Sequence, residues 1–410
     1  MRAAAATGST ALSRSAFVPH VARSFAGLPD AATAMALLAQ LAGGECAFAP
    51  VLPDKPIALY GAGELGRLAR NCLTVAGVSV AQIIDQNAVK LAGDAGWRGI
   101  AMVRPDEVTE ADKRDLRVAV SIATLPYVPI EQSLRERGFA DIVPFYDLAE
   151  SCRHLHPLSN GWFAPSLDAA ACQATAAALH GWHDDLSRAD HLQFLAWRRL
   201  REEWTFACAP VLRGPRFFIA EVRDALRQDE CFVDAGAYHG GVTENFLRAV
   251  DGRFDRIVAI EPDPASRTVL QGALRRLVPP AQQVEVLDCA LAEHAGTALF
   301  HHGLGYASQL SQTGRLTVAT RALDSLGLSP TFVKLHLEGS ELAALEGARD
   351  TLQACRPLVA ATVYHNDDGI WRTPLWLMEH LPRYRFLFRL DSWCGTGGVV
   401  YGIPEERCGD

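Results

Sequence analysis

Two strand–glycine–helix units, set far apart in one chain, constrain this sequence more than any other feature. In the first, the apolar run PIALY leads into GAGELG, where Gly61, Gly63 and Gly66 stand before the amphipathic stretch RLARNCLTVAG. In the second, CFVDAG leads into AYHGG, where Gly236, Gly240 and Gly241 precede VTENFL. A buried strand that turns straight into a helix needs glycine where φ is positive or where backbones come close. Strand and helix patterns alternate after each unit. VAQIID, RVAVSI and ADIVPF follow the first; RIVAIEPD, QVEVLDCAL, TFVKLHLEG, LVAATVYH and GGVVYGIP follow the second. Such alternation predicts parallel sheets covered by helices, so the expected class is α/β, with two Rossmann-like units and a doubly wound C-terminal one.

A chain of 410 residues exceeds one compact core. It is expected to divide into an N-terminal arm with a short helix at 1–54, a Rossmann-like domain of nucleotide-binding type at 55–150, a helical connector at 151–225 and a catalytic domain at 226–410. In the arm, AATAMALLAQLAG (31–43) predicts a docking helix ending at Gly43–Gly44, and the Ala/Ser/Arg-rich opening MRAAAATGSTALSRSAF reads as a frayed terminus rather than a transit segment. In the connector, DHLQFLAWRRLREEW predicts one helix with Phe194, Trp197, Leu200 and Trp204 on its apolar face.

A formal charge of −8 lacks the basic footprint that nucleic acid requires. No apolar run approaches the roughly 20 residues of a membrane span. The ten cysteines are scattered without a CxxC pair, which predicts neither a metal site nor a disulfide framework and suits a reducing cytoplasm. The expected partner is a small molecule or glycan; oligomeric state is not legible.

The two glycine loops demand different ligands. Gly61, Gly63 and Gly66, with Asp85 closing the next strand, form the dinucleotide pattern: close backbone approach, a helix N-terminus for pyrophosphate and a carboxylate for ribose. Alone they point to NAD and an oxidoreductase, or to a non-catalytic nucleotide-binding scaffold. Glu64 inside the loop opposes a pyrophosphate while suiting the helix N-terminus. Packing is therefore the expected role, with a nucleotide or nucleotide-sugar as the alternative ligand. In the second loop the charge logic reverses. Asp234 at the strand end suits a ligand carrying an ammonium and a sulfonium, as S-adenosylmethionine does. Gly236, Tyr238 and Gly240 would border its methionine portion, Glu261 would take the ribose hydroxyls, and Asp288 and Cys289 would border the adenine.

Four blocks, FVDAGAYHGG, VAIEPDP, FVKLHLEGSELAALEGA and VYHNDDGIW with its trailing VVYGIP, resemble the FkbM-type methyltransferase family over about residues 230–403. The resemblance implies a class I fold acting mainly on hydroxyl oxygens, with Asp234, Gly236 and Gly240 in the cofactor loop and Glu261 as ribose ligand. Lys334, Glu338 and Glu341 match the family's KxDxEGxE block, with His336 standing where Asp is more common. A hydroxyl is a poor nucleophile at neutral pH, so a general base is expected. His365 and His336, both at strand ends, are the candidates, with Lys334 orienting substrate or holding Glu338. His301–His302, before a glycine-rich loop, reads as surface or lid.

Overall fold

The computed structural model describes residues 18–91, 93–158, 161–212, 214–279 and 282–408. The Ala/Ser/Arg-rich opening lies outside the described residues. The first α/β unit is a five-stranded parallel sheet in the order Ala101–Val103, Val80–Ile84, Ile57–Tyr60, Arg117–Val120, Asp141–Pro144. Its central strand reads as a continuous apolar run because helices cover both faces. Ile57, Ala58 and Leu59 are all fully buried.

The second unit is a seven-stranded sheet ordered Gln283–Leu287, Arg256–Ile260, Cys231–Ala235, Phe332–Leu335, Leu358–Thr362, Gly398–Pro404, Tyr384–Leu390. Numbered in chain order these run 3-2-1-4-5-7-6. The first five are parallel, and Gly398–Pro404 runs antiparallel to both its neighbours. The chain reverses its winding between Cys231–Ala235 and Phe332–Leu335, which opens a crevice beyond their carboxyl ends. Between Leu287 and Phe332 a small four-stranded sheet is inserted, built from Ala290–Leu291, Gly296–His301, Gln309–Leu310 and Leu316–Arg321. It carries the loop 302–308 out over the crevice.

The arm helix forms at Ala31–Gly43, with Asp30 accepting the Thr33 amide at 2.8 Å. It packs with helices Ala169–Gly181 and Asp185–Leu200, and Leu38, Leu192 and Leu195 share one core with Phe388 and Val400 of the seven-stranded sheet. The connector is thus a helical layer on that sheet. Its predicted long helix stops early: Arg201 adopts φ +60° and the chain enters a strand, Glu202–Phe206, parallel to Val21–Phe25. Trp204 therefore lies in a strand, not on the helix face. Helical periodicity continues through the sequence there, but tertiary contacts override it. The buried Arg201 guanidinium is held by Asp147 (2.9 Å) and by the Trp162 and Trp197 carbonyls, while Glu203 accepts the Tyr127 amide at 2.6 Å.

Candidate active site

The second glycine loop is built around a buried ion pair. Gly236 adopts φ +74°, and a Cβ there would lie 2.0 Å from the His336 carbonyl oxygen, so only glycine fits. Gly240, at φ +88°, begins the helix Gly241–Ala249. Beneath the loop, the Lys334 ammonium donates to Asp234 (2.9 Å) and to the carbonyls of Ala235 (3.1 Å) and Gly236 (2.8 Å). The other Asp234 oxygen accepts the Thr243 hydroxyl at 2.7 Å. Both charged side chains are almost wholly sealed from solvent. Two expectations change. Asp234 does not line the cavity: it is sealed below the loop, with one oxygen on Lys334 and the other on Thr243. Lys334 does not orient substrate or hold Glu338, because its three N–H bonds are spent on the loop.

Above the loop lies a cavity of about 240 Å³, lined by Gly236, Tyr238, Glu261, Cys289, His336 and Glu338 among others. Glu261, raised by burial, accepts the amides of Tyr238 (2.7 Å) and Asp263 (2.8 Å). It thereby ties the loop to the next strand at the cavity wall. Tyr238 itself sits at φ +49°. Asp288 differs from its expected role: it is exposed and meets Arg267 at 2.5 Å. In the bend after Leu287, Cys289 lines the cavity while Asp288 turns out to solvent and Arg267.

On the far side, two strand ends bring three groups together. His336 Nε2 lies 3.0 Å from one Glu338 oxygen, and His365 Nε2 lies 3.2 Å from the other. His336 and Glu338 line the cavity, whereas His365, almost fully buried, sits behind Glu338. The histidine expected to meet an acceptor directly thus reaches it through Glu338. Burial holds His336 well below the usual imidazole range, with His365 and Lys334 adding to the effect. Burial pushes Glu338 up to about 7.

The residues behind this cluster escape sequence reasoning because they come from scattered segments. Glu341 accepts the amides of Leu337 and Gly339 (both 2.9 Å) and the Thr362 hydroxyl (2.6 Å), and meets His365 Nδ1 at 3.3 Å. Burial alone would raise Glu341; these hydrogen bonds overcome it and hold its carboxyl low. Tyr364 links His336 (3.1 Å) to Arg216 (2.9 Å), which is anchored by Asp391 at 2.6 Å. Glu341 carried a signal through the KxDxEGxE block and Tyr364 through VYHNDDGIW, whereas Arg216 and Asp391 lie in neither.

The first glycine loop has another setting. Gly61 adopts φ +109°, and a Cβ on Gly66 would lie 2.2 Å from the Gly61 carbonyl oxygen. Asp85 spends one oxygen on the Ala62 amide (2.8 Å) and the other on the Asn87 amide (2.7 Å). Leu304 and Ala307, from the inserted sheet's loop, join the core that contains Ala62 and touches Leu65. Glu64 is close enough to act electrostatically on Tyr238 and Tyr306. Glycine at 61 and 66 serves close packing, and the loop abuts the second domain's cavity wall. His301 bonds Thr313 at 2.8 Å and stands at the base of the same bridging loop.

A seven-stranded sheet in this order, with its one antiparallel strand and a cavity over the first glycine loop of that sheet, defines a class I methyltransferase fold. The particular kind follows from the sequence of that unit. Residues 234–390 match the Methyltransferase FkbM domain family model. The crystal structure of methyltransferase FkbM from Methylobacillus flagellatus KT is similar over 92% of this chain and 94% of its own, at 19% identity and a TM-score of 0.59. The likeness in fold therefore extends to the N-terminal unit. SAH-bound methyltransferase PaMTH1 of Podospora anserina aligns over 66% of this chain and all of its own, at 13% identity and TM-score 0.30. Precorrin-6y C5,15-methyltransferase from Geobacter metallireducens GS-15 aligns over 47% and 91%, at 15% identity and TM-score 0.29. No curated protein matches the sequence. Among the described residues, no helix is long and apolar enough to cross a membrane.

Proposed function

We propose that the chain transfers the methyl group of S-adenosylmethionine to a hydroxyl oxygen of a small molecule or glycan. One observation carries this reading: the glycine-loop cavity ends at a buried cluster of electron-pair donors. Glu261 and Gly236 border the side where class I folds bind the cofactor, and Glu338 with His336 border the opposite side. A hydroxyl placed between them would have its proton drawn by the cluster and its oxygen aimed at the sulfonium methyl. Methyl transfer is an in-line displacement, so fixing that line supplies much of the rate. The inner wall is apolar, with Val242, Leu291, Phe300 and Leu310, and Tyr306 lies toward the N-terminal domain. This surface suits a compact acceptor and offers no basic track for a polyanion.

In this reading the N-terminal unit shapes the acceptor side through the loop 302–308 and binds no nucleotide of its own. Calorimetry tests the cofactor, and mass spectrometry of a hydroxylated acceptor panel incubated with methyl-labelled S-adenosylmethionine tests the reaction. Saturable binding and label on an acceptor oxygen are expected. Binding of NAD in place of S-adenosylmethionine would overturn the reading.

A further inference from the structure

We propose that His336, Glu338 and His365 together bind one divalent transition-metal ion at the acceptor side of the cavity, an inference whose catalytic use rests on the methyl-transfer reading. The protons decide the donor set. Arg216 donates to the Tyr364 hydroxyl, which leaves that hydroxyl's own proton for His336 Nε2. His336 Nε2 therefore carries a lone pair, and an ion takes it when the Tyr364 hydroxyl turns its proton away. Glu341 already accepts three hydrogen bonds and acts as an acceptor toward His365 Nδ1, which fixes the proton there. His365 Nε2 carries a lone pair as well.

Both ring nitrogens lie beside Glu338, at 3.0 and 3.2 Å from its two oxygens. One ligand atom from each residue lies within 4.8 Å of the other two. A single proton on Glu338 can bridge to one nitrogen at a time, whereas a cation satisfies all three donors together. Glu341 on His365 Nδ1 reproduces the arrangement that metal-binding histidines use, a carboxylate on the ring nitrogen facing away from the ion. The backbone holds Glu338 in an uncommon conformation, φ +52°, with Gly339 at φ +108° and Glu341 pinning the amides on either side. Two imidazoles and one carboxylate favour ions such as zinc, cobalt, iron or manganese over magnesium or calcium. The sequence hides this site because its ligands come from two strand ends and include no cysteine.

The chemistry balances simply. With His336, Glu338 and His365 spent on the ion, the ion would acidify a neighbouring acceptor hydroxyl, whose proton would then leave to water rather than to the cluster. The acceptor oxygen forms a bond to the sulfonium methyl carbon while the carbon–sulfur bond breaks. That electron pair stays on sulfur and yields S-adenosylhomocysteine.

The test uses the full chain, stripped with a chelator and titrated calorimetrically with zinc, cobalt and magnesium, with cobalt absorption spectra recorded in parallel. One equivalent of zinc or cobalt should bind, with cobalt bands showing nitrogen and oxygen ligation and magnesium binding far more weakly. Glu338→Gln and His365→Ala should each weaken binding by about tenfold or more, and Glu341→Gln by about 10–100-fold. Thermal midpoints of the three variants report that they remain folded. Two results overturn the proposal: no zinc or cobalt uptake by parent protein that binds S-adenosylmethionine, or uptake unchanged in Glu338→Gln and His365→Ala. Metal uptake by protein that fails to bind S-adenosylmethionine leaves the metal site standing and removes the methyl-transfer reading instead.

Discussion

Replacing Lys334 with methionine keeps the length of the side chain and removes its charge, which isolates the ion pair under the cofactor loop. In the parent, the ammonium satisfies Asp234 and two loop carbonyls, all within 3.1 Å. In Lys334→Met, Asp234 stays buried as a carboxylate with only the Thr243 hydroxyl beside it. Breaking a buried pair in this way costs about 3–5 kcal/mol, chiefly because one charge is left uncompensated. A domain of this size loses about 2–4 °C per kcal/mol, so the midpoint should fall by roughly 6–20 °C. Adding Asp234→Asn removes the stranded charge, and the double variant should recover about 2 kcal/mol of the loss. Urea unfolding of the parent, both single variants and the double variant measures this coupling. Calorimetry with S-adenosylmethionine adds a second reading, because loosening the Ala235 and Gly236 carbonyls should weaken cofactor binding in Lys334→Met. If the two substitutions prove additive within about 0.5 kcal/mol, the pair does not act as a unit and the reasoning fails.

Gly236→Val should abolish S-adenosylmethionine binding, since its Cβ would lie 2.0 Å from the His336 carbonyl. Gly63→Val, whose Cβ meets nothing within 4 Å, should leave methyl transfer near the parent rate in the same labelled assay. Arg201→Met leaves Asp147 unpaired in the interior and should lower stability by about 3–5 kcal/mol by denaturant titration. His156 is held neutral, accepting the Leu158 amide and facing Asn71, and burial lowers its pKa to about 4, with His301 adding to it. Its folded value lies below the unfolded one, so its share of stability is full above about pH 6.5 and is lost as pH falls toward 4, about 3 kcal/mol in all. His156→Gln should flatten the stability curve across that window; an unchanged slope would place the acid sensitivity elsewhere.

Much of this architecture was readable from the chain because buried parallel strands leave unbroken apolar runs and their turns demand glycine. The place of Glu261 at the cavity wall was readable for the same reason, since it stands at a strand end with a fixed relation to the loop. Asp234 was picked out by its charge, but a sequence does not say which partner a buried carboxylate meets, and Lys334 lies far along the chain. Arg216 gave no local signal, and Tyr364, though inside the VYHNDDGIW block, gave none of its link to His336, since only the folded sheet brings them together. Trp204 misled because its spacing fits the preceding helix, whereas the turn at Arg201 depends on Asp147, a contact with another domain.

The pairing of Val21–Phe25 with Glu202–Phe206 fixes an order of events during synthesis. Domains generally fold from the N-terminus as the ribosome releases them. The five-stranded sheet is complete once Pro144 has emerged, yet the strand that precedes it has no partner until Phe206 follows. Through that interval the strand Val21–Phe25 lacks its sheet partner, although His20 beside it can already meet Glu131 of the finished domain. Closing a loop of this length adds little entropy cost but slows assembly. The arm thus works as a late latch. Its strand partner follows directly on the Arg201 turn, at the end of the helix that packs on the second domain's sheet.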